Sequence, residues 1–208
     1  MTKARTLADF DATFDTTFDT TFDPTGVLTS TSTLNPALLD DTGTIPSALL
    51  AGVGGNNLPA FQAFRTNNQS IPQSTYTKIE FDAEGYDLGG CYNNTGSTAT
   101  LNGISVPAYS FAPNVAGKYE ISACVNSQNP TDYDTLLVSI FKNGTQINRV
   151  INSNRHFDSA MTSFIVEANG TSDYFDIQCF SELAGGTNLQ GTDTNSRLMW
   201  FAATKLIT

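Results

Sequence analysis

From residue 58 onward the chain consists of short strand-like runs that end at Gly, Asn, Asp or Pro. Asn143-Gly144 and Asn169-Gly170 are dipeptides that favour tight β-hairpin turns, because both of their residues adopt positive φ angles readily. Many short strands with no helical segment between them predict an all-β fold, an antiparallel sandwich or jelly roll. The runs lie near residues 59–66, 76–82, 107–112, 117–126, 134–142, 161–168, 173–181 and 196–206.

Alternation of side chains within the runs predicts which residues are buried. Apolar side chains occupy every second position in 119–125 and in 175–179. This pattern places Cys179 in the core and Cys124 on the opposite side of its strand, so a bond between them is not expected. With Cys91 they form no CxxC pair, and we expect three reduced thiols without a structural disulfide or zinc ion.

The last run breaks this alternation. Both faces of this strand are apolar, and an antiparallel strand of that kind must be covered twice. The domain's own core covers one face, and subunit association is the simplest cover for the other. Leu137 and Phe141 are apolar residues on the other side of their strand from the predicted core, and they indicate a need for a partner subunit more weakly. The residues predicted to meet another subunit are Leu198, Met199, Trp200 and Phe201.

Residues 1–57 differ from the rest and predict an extended N-terminal arm with a linker. Residues 10–25 read FDATFDTTFDTTFDPT, and residues 26–57 are rich in Thr, Ser, Gly and Pro. In an extended chain the repeated rings all point to one side, because side chains alternate with a period of two. So short an arm cannot bury them, and they need a surface on another chain. A disordered low-complexity tail is the alternative. The rings are Phe10, Phe14, Phe18 and Phe22.

The charge of the chain restricts its partners. A net charge of -10 repels phosphate backbones and anionic lipid heads, so we do not expect nucleic-acid binding. No stretch of about 18 apolar residues is present, so no membrane insertion is expected. The N-terminus has no apolar run after its basic start and does not resemble a secretory signal. We therefore expect synthesis in a cytoplasm.

Five segments of the head carry a resemblance to a known group of domains: 60–64 (AFQAF), 76–81 (YTKIEF), 111–123 (FAPNVAGKYEISA), 137–144 (LVSIFKNG) and 201–206 (FAATKL). They resemble the globular head of the complement C1q and tumour necrosis factor group, as found in bacterial and phage proteins. The resemblance implies a tight trimer of jelly rolls, used for recognition or assembly. Residues 89–106 depart from the pattern as an enlarged Gly/Asn/Thr-rich loop, which either carries specificity or is filler.

The arm carries a second resemblance. Residues 2–10 (TKARTLADF) and 41–50 (DTGTIPSALL) look like segments of fibre and virion proteins of marine tailed phages. In such proteins the N-terminal segment attaches to the particle, and the C-terminal head points outward. The division implied is an anchoring arm at 1–57 and a head at 58–208.

The candidate chemistry in the chain is sparse. His156 lies in a polar segment without a nucleophile-elbow pattern, so we expect no catalytic residues and no enzyme activity. Asp82, Glu84 and Asp87 form an acidic cluster of the oxygen-rich kind that holds calcium. The cluster does not match the calcium-loop pattern, so a solvated turn is expected, with no metal and no cofactor.

The leading hypothesis is a non-enzymatic phage virion protein, a homotrimer anchored by its arm to other virion proteins. A short tail fibre or knob that attaches to a host-surface glycan or protein is favoured over a capsid decoration protein. A carbohydrate-binding, lectin-like module is the alternative from another class, and it predicts a ligand for the isolated head and no role for the repeat. A hydrolase on a β scaffold lacks the acid and base groups that it would need.

Overall fold

The computed structural model describes residues 57–127, 135–152, 159–191 and 197–206, and strands are the only regular elements in these ranges. Residues 1–56, which contain most of the predicted arm with its FDxT repeat, and His156 lie outside the described residues. The strands in chain order are β1 (Ala60–Phe64), β2 (Gln69–Ile71), β3 (Thr77–Lys78), β4 (Ala83–Leu88), β5 (Tyr92–Asn93), β6 (Ala99–Leu101), β7 (Ile104–Val106), β8 (Ser110–Phe111), β9 (Gly117–Asn126), β10 (Leu136–Lys142), β11 (Thr145–Asn152), β12 (Ser159–Ala168), β13 (Phe175–Ser181), β14 (Thr187–Leu189) and β15 (Trp200–Lys205).

Two antiparallel sheets pack face to face. The front sheet has the order β12-β9-β15-β1-β4, and the back sheet has the order β11-β10-β13-β8-β5, with β3 added beside β13. Two small sheets, β2 with β14 and β6 with β7, lie outside this sandwich. The predicted all-β jelly-roll architecture is confirmed. Within the described ranges no helix is long and apolar enough to cross a membrane.

Strand register defines the two ends of the sandwich. Ala60, the first residue of β1, pairs with Thr204 of β15 and with Leu88 of β4. We call this the arm end, because residues 1–57 join the head here. At the opposite end of β1, which we call the far end, Phe64 pairs with Trp200.

A cluster of aromatic rings joins the two sheets at the centre of the core. Phe61 of β1 stacks on Tyr92 of the back sheet at 4.5 Å between ring centroids and on Phe111, also of the back sheet, at 4.9 Å. Phe201 of β15 meets the ring of Phe61 edge-on at 4.8 Å. Each buried ring contributes on the order of 1.5–3 kcal/mol by removing its apolar surface from water.

The predicted alternation is confirmed in β9 and β13. The apolar residues of 119–125 have little or no exposed area, as have Phe175, Ile177 and Cys179. Cys124 is only partly buried and lies on the opposite face of β9. All three cysteines are free thiols.

Of the two predicted Asn-Gly hairpins, only the first is correct. Asn143 and Gly144 have φ angles of 52° and 77° and join β10 to β11 in one sheet. Asn169-Gly170 instead lies where the chain crosses from β12 in the front sheet to β13 in the back sheet. Asn169 Oδ1 accepts hydrogen bonds from the backbone N of Thr171, Ser172 and Asp173, so the asparagine caps a crossover.

Gly170 is required at this crossover. Its φ angle is 73°, in the region that side-chain-bearing residues rarely adopt. A Cβ atom there would lie 2.4 Å from the backbone N of Ala116. Ala116 precedes β9, so two connections between the sheets touch each other at this glycine.

A mostly buried ion pair stabilises the same region. Lys142 Nζ lies 2.9 Å from Asp173 Oδ2 and donates a second hydrogen bond to the Glu167 carbonyl oxygen at 2.7 Å. Asp173 also accepts hydrogen bonds from Asn143 Nδ2 and from the Asn169 backbone N. Burial raises the pKa of Asp173, but these donors outweigh it, and the pKa lies below its ordinary value of 3.8.

We predict that Asp173→Asn lowers the free energy of unfolding by about 1.5–3 kcal/mol at pH 7, the usual contribution of hydrogen bonds to a charged group. A carboxylate with a lowered folded-state pKa stabilises the protein above its unfolded pKa and loses this effect as the pH falls through the folded value. Denaturant unfolding between pH 7 and pH 2 should therefore show that the free energies of unfolding of the wild type and the variant become equal as the pH falls below 3.8. A difference that stays constant over this range would contradict the assignment.

Candidate subunit interface

Part of the outer surface of the back sheet is covered by the chain's own side chains. Tyr76, which precedes β3, contacts the rings of Phe141 at 5.6 Å and Phe180 at 5.1 Å between centroids. Asp176 on this surface is 2% exposed and pairs with Lys78 at 3.0 Å. Leu137 is only 6% exposed within its own chain, so it does not need a partner subunit, and Tyr76 covers part of Phe141.

The outer surface of the front sheet has no such cover within the described residues. Two neighbouring rows of side chains, each running across the paired strands of this sheet, contain no charged side chain. Met161, in one of these rows, is 61% exposed. We call these two rows the front face. The first row is Met161, Cys124, Trp200 and Phe64, and the second is Ser163, Ser122, Ala202, Gln62 and Tyr86.

Two charged groups lie close to these rows, Arg197 over part of the front face and Glu120 beside it. The guanidinium of Arg197 lies over the Phe64 ring at 4.3 Å from its centroid and donates a hydrogen bond to Gln62 Oε1 at 3.3 Å. Glu120 lies in the row beyond, where its carboxylate accepts a hydrogen bond from Ser163 Oγ. Rows of uncharged side chains with a few charged groups beside them are typical of a protein interface.

A second apolar surface lies at one side of the sandwich. Here β12 and β11 are the edge strands of the front and back sheets, and Thr162 Oγ1 donates a hydrogen bond of 2.6 Å to Asn148 Oδ1 between them. We call three exposed apolar residues at this open side the apolar edge: Val150 (36% exposed), Phe164 (42%) and Ile165 (57%). Ile151 (51%) pairs with Leu137 and lies instead on the outer side of the back sheet.

The structure divides the predicted interface residues between core and surface. Met199 and Phe201 have no exposed area and belong to the core, so their assignment to the interface is corrected. Alternation along β15 directs Phe201 inward and Trp200 outward. Leu198 and Trp200 are partly exposed, and their role in a trimer stays a prediction.

Sequence reasoning missed most of the surface that the structure reveals. Met161 and Ile165 lie in a run where Phe164 interrupts the alternation, so its outward face was not recognised. Phe64 was assigned to a strand without an orientation. The register of β1 against β15 supplies that orientation, because it places Phe64 beside Trp200.

The predicted calcium candidates do not converge on one point. Asp82 accepts hydrogen bonds from the Thr66 backbone N at 2.8 Å and from Arg65 at 2.8 Å. Asp87 accepts bonds from the backbone N of Cys91 and of Tyr92. The pKa of Glu84 is raised by burial and by the Asp87 charge. Across the described ranges, no group of three or more His, Cys, Asp and Glu side chains is placed to hold a metal ion.

The buried cysteines are poor nucleophiles. Burial raises the pKa of Cys179 to about 12. The pKa of Cys91 is raised further, by burial and by the adjacent Asp87 carboxylate, which accepts a hydrogen bond from its thiol at 3.1 Å. Both groups stay protonated at neutral pH, and the thiolate is the reactive form.

Comparison with known proteins adds evidence on the fold. No protein-family model matches the chain, and no curated protein sequence matches it. Murine APRIL at pH 5.0 superposes with a TM-score of 0.50 and 12% identity, over 71% of this chain and 98% of that chain. The PRD1 vertex protein P5 superposes with a TM-score of 0.48 and 13% identity, over 74% of this chain and 99% of that chain. The globular domain of zebrafish complement 1qA superposes with a TM-score of 0.48 and 12% identity, over 71% of this chain and 96% of that chain.

At such low identity the likeness shows the fold alone. The described head is a C1q/TNF-like jelly roll, and the fold that the sequence resemblance implies is confirmed.

We predict that calcium does not stabilise the head, because the carboxylates of Asp82 and Asp87 already bind donors from the chain. A site filled to one hundred times its Kd would add about 2.7 kcal/mol to the stability and raise the melting temperature by several degrees. Thermal melts in millimolar calcium and in a strong chelator should coincide. A clear rise with calcium that Asp82→Asn abolishes would overturn this.

Proposed function

We propose that this chain is a non-enzymatic structural protein of a phage particle. It works as a homotrimer whose arm, residues 1–57, attaches to the particle and whose head points outward. The observation that carries self-association is the uncharged front face beside an exposed apolar edge. The assignment to a virion is supported by the sequences of residues 2–10 and 41–50. A short tail fibre or knob is favoured, and a capsid decoration trimer is the second candidate location.

A threefold ring requires two different contact surfaces on each subunit. Rotation by one third of a turn brings one surface of a protomer against a different surface of its neighbour, so the contact is heterologous. The front face and the apolar edge are two such surfaces. We propose that Phe164 and Ile165 of one subunit pack against Trp200 and its neighbouring residues on the next.

We predict that Trp200→Asp converts the trimer into a folded monomer. The substitution places an unpaired charge at the centre of the front face, and burying it costs about 3–5 kcal/mol per contact. Light scattering on the full chain should give three chain masses for the wild type and one for the variant. Val115→Asp is the matched control, since Val115 is an exposed apolar residue (38%) on neither surface, and it should stay trimeric.

A mixing experiment tests the heterologous contact itself. Trp200→Asp keeps an intact apolar edge, and Phe164→Asp with Ile165→Asp keeps an intact front face. Each variant alone should be a monomer, and an equimolar mixture should form a dimer through the one undamaged contact. A mixture that remains monomeric at high concentration would contradict edge-to-face packing.

The attachment proposal rests on the phenylalanine repeat of the arm. An extended chain spaces successive rings by about 13 Å, which suits a series of pockets on a neighbouring protein. Each ring that becomes buried contributes on the order of 1.5–3 kcal/mol before ordering costs are subtracted. Because a trimer carries three arms, weak binding by one arm becomes strong attachment by avidity.

We predict that replacing Phe10, Phe14, Phe18 and Phe22 with Ser leaves a folded trimer that no longer incorporates into particles. Deleting residues 1–25 should have the same effect. The measurement is the copy number of this chain in purified particles, by quantitative mass spectrometry. Replacing Thr16 and Thr20 with Ser is the control, because it keeps every ring. Normal copy number in the deletion variant would exclude the repeat as the anchor.

Imaging of particles that carry a labelled version of this chain separates the two locations. Label at the tail supports a fibre or knob, and label distributed over the capsid supports a decoration trimer. Particles without label would contradict the virion assignment as a whole.

A further inference from the structure

A long segment of the head lacks charge altogether. Residues 88–117 contain no Asp, Glu, Lys, Arg or His, although 14% of the chain is charged. This segment includes the loop that departs from the C1q/TNF pattern. In the structure the loop forms the β6–β7 hairpin, whose turn at Asn102 and Gly103 has φ angles of 50° and 79°.

The hairpin is held firmly in place. Asn93, which is 2% exposed, donates through Nδ2 to the carbonyl oxygens of Ser97, Val106 and Pro107 at 2.8–3.0 Å. Ile104 and Val106 pack with Ala112 in a small core of their own. The hairpin is therefore a preformed surface, and binding to it does not require the loop to be ordered first.

The hairpin lies beside the point where the arm joins the head. Asn102 Nδ2 donates to the carbonyl oxygens of Gly89 and Gly90 at 2.7 and 2.9 Å. A Cβ atom at Gly89 would lie 2.9 Å from the Pro59 side chain. Pro59 and Leu58 are the residues that lead from the arm into β1.

Exposed residues of this region are apolar or small and polar. Leu58 is 43% exposed and Leu88 is 52% exposed. Thr100 and Ser105 pair with each other across the hairpin, and both are exposed. We call this surface, made of Leu58, residues 88–90 and the β6–β7 hairpin, the uncharged corner.

We propose that the uncharged corner is the surface through which the head itself contacts the protein that holds the arm, and that this partner surface is also poor in charge. The inference rests on the proposed attachment by the arm and adds a second contact to it. The arm leaves the head at this corner, so its tether keeps the partner surface at high local concentration there. Interface centres are depleted in charge, as this corner is. Nucleic acid does not fit, because the corner has no cation to meet a phosphate.

The far end of the sandwich provides a matched control. It also carries a two-stranded sheet, β2 with β14, in which Ser70 and Asn188 form an exposed pair like Thr100 and Ser105. Leu189 of β14 pairs with Ser127, just beyond the end of β9, which places this sheet away from the arm. If the corner faces the particle, the β2–β14 sheet faces outward.

The experiment places charges on each of these sheets in the full chain. One variant carries Thr100→Glu and Ser105→Glu, a second carries Thr100→Lys and Ser105→Lys, and the control carries Ser70→Glu and Asn188→Glu. All should melt near the wild type and remain trimers by light scattering. Both hairpin variants should lose at least about tenfold in copy number per purified particle, since unpaired charges of either sign oppose burial. The control should incorporate normally.

The outcomes separate this inference from the proposed function. Hairpin variants that incorporate at wild-type copy number, while deletion of residues 1–25 abolishes incorporation, overturn the corner contact and leave the arm as the anchor. Equal loss in the far-end control also overturns it. Loss of the trimer in the hairpin variants would assign the corner to the subunit interface instead, against the inference. Normal incorporation after deletion of residues 1–25 removes the anchoring on which the inference rests, and it therefore counts against both.

Discussion

The contact of Phe61 with rings from both sheets is the interaction on which the other features depend. Phe61 stacks on Tyr92 and Phe111 across the sandwich and meets Phe201 beside it. Backbone pairing holds β1 between β15 and β4, and the Phe61 contact fastens β1 to the back sheet near the point where residues 1–57 join it. It also sets the phase of β1, because a ring directed inward at Phe61 directs Gln62 and Phe64 outward. A loss of packing at this ring would thus disturb both the front face and the arm end.

The two outer surfaces of the sandwich show how the chain distributes its few charges. On the back sheet, Lys78 and Asp176 form an ion pair, and Tyr76 contacts Phe141 and Phe180. The rows of the front face carry no charged side chain of their own, and the nearby charges are Arg197, which lies over Phe64, and Glu120 in the next row. A sheet surface that is complete within one chain has no need of a partner, whereas one without charge or cover favours association. This contrast supports the front sheet as the interface.

Much of the fold could be predicted from the sequence, because long strands carry a period-two pattern. β9 and β13 are examples, and the alternation of buried residues in both was predicted correctly. The pairings of two or three residues, such as β5 and β8, are too short to show any period. β11 was missed because its sequence, TQINRVIN, is polar on both faces for most of its length. The Asn169-Gly170 error has a different cause, since a turn dipeptide does not specify which strands it connects.

The candidate interface could be predicted only in part. The apolar run at 198–201 correctly indicated that β15 has two apolar faces, but Met199 and Phe201 belong to the core. Outward neighbours such as Phe64 and Met161 come together only through the register of distant strands, which local sequence does not contain.

Gly170 has a consequence for how this protein can change over generations. The connection into β9 and the crossover from β12 to β13 touch at this residue, with no room for a methyl group between them. Exposed residues on the hairpin or the front face can be exchanged without disturbing the core. A substitution at Gly170 would instead have to move two chain crossings at once. We therefore expect glycine to be kept at this position in any protein that retains the crossover.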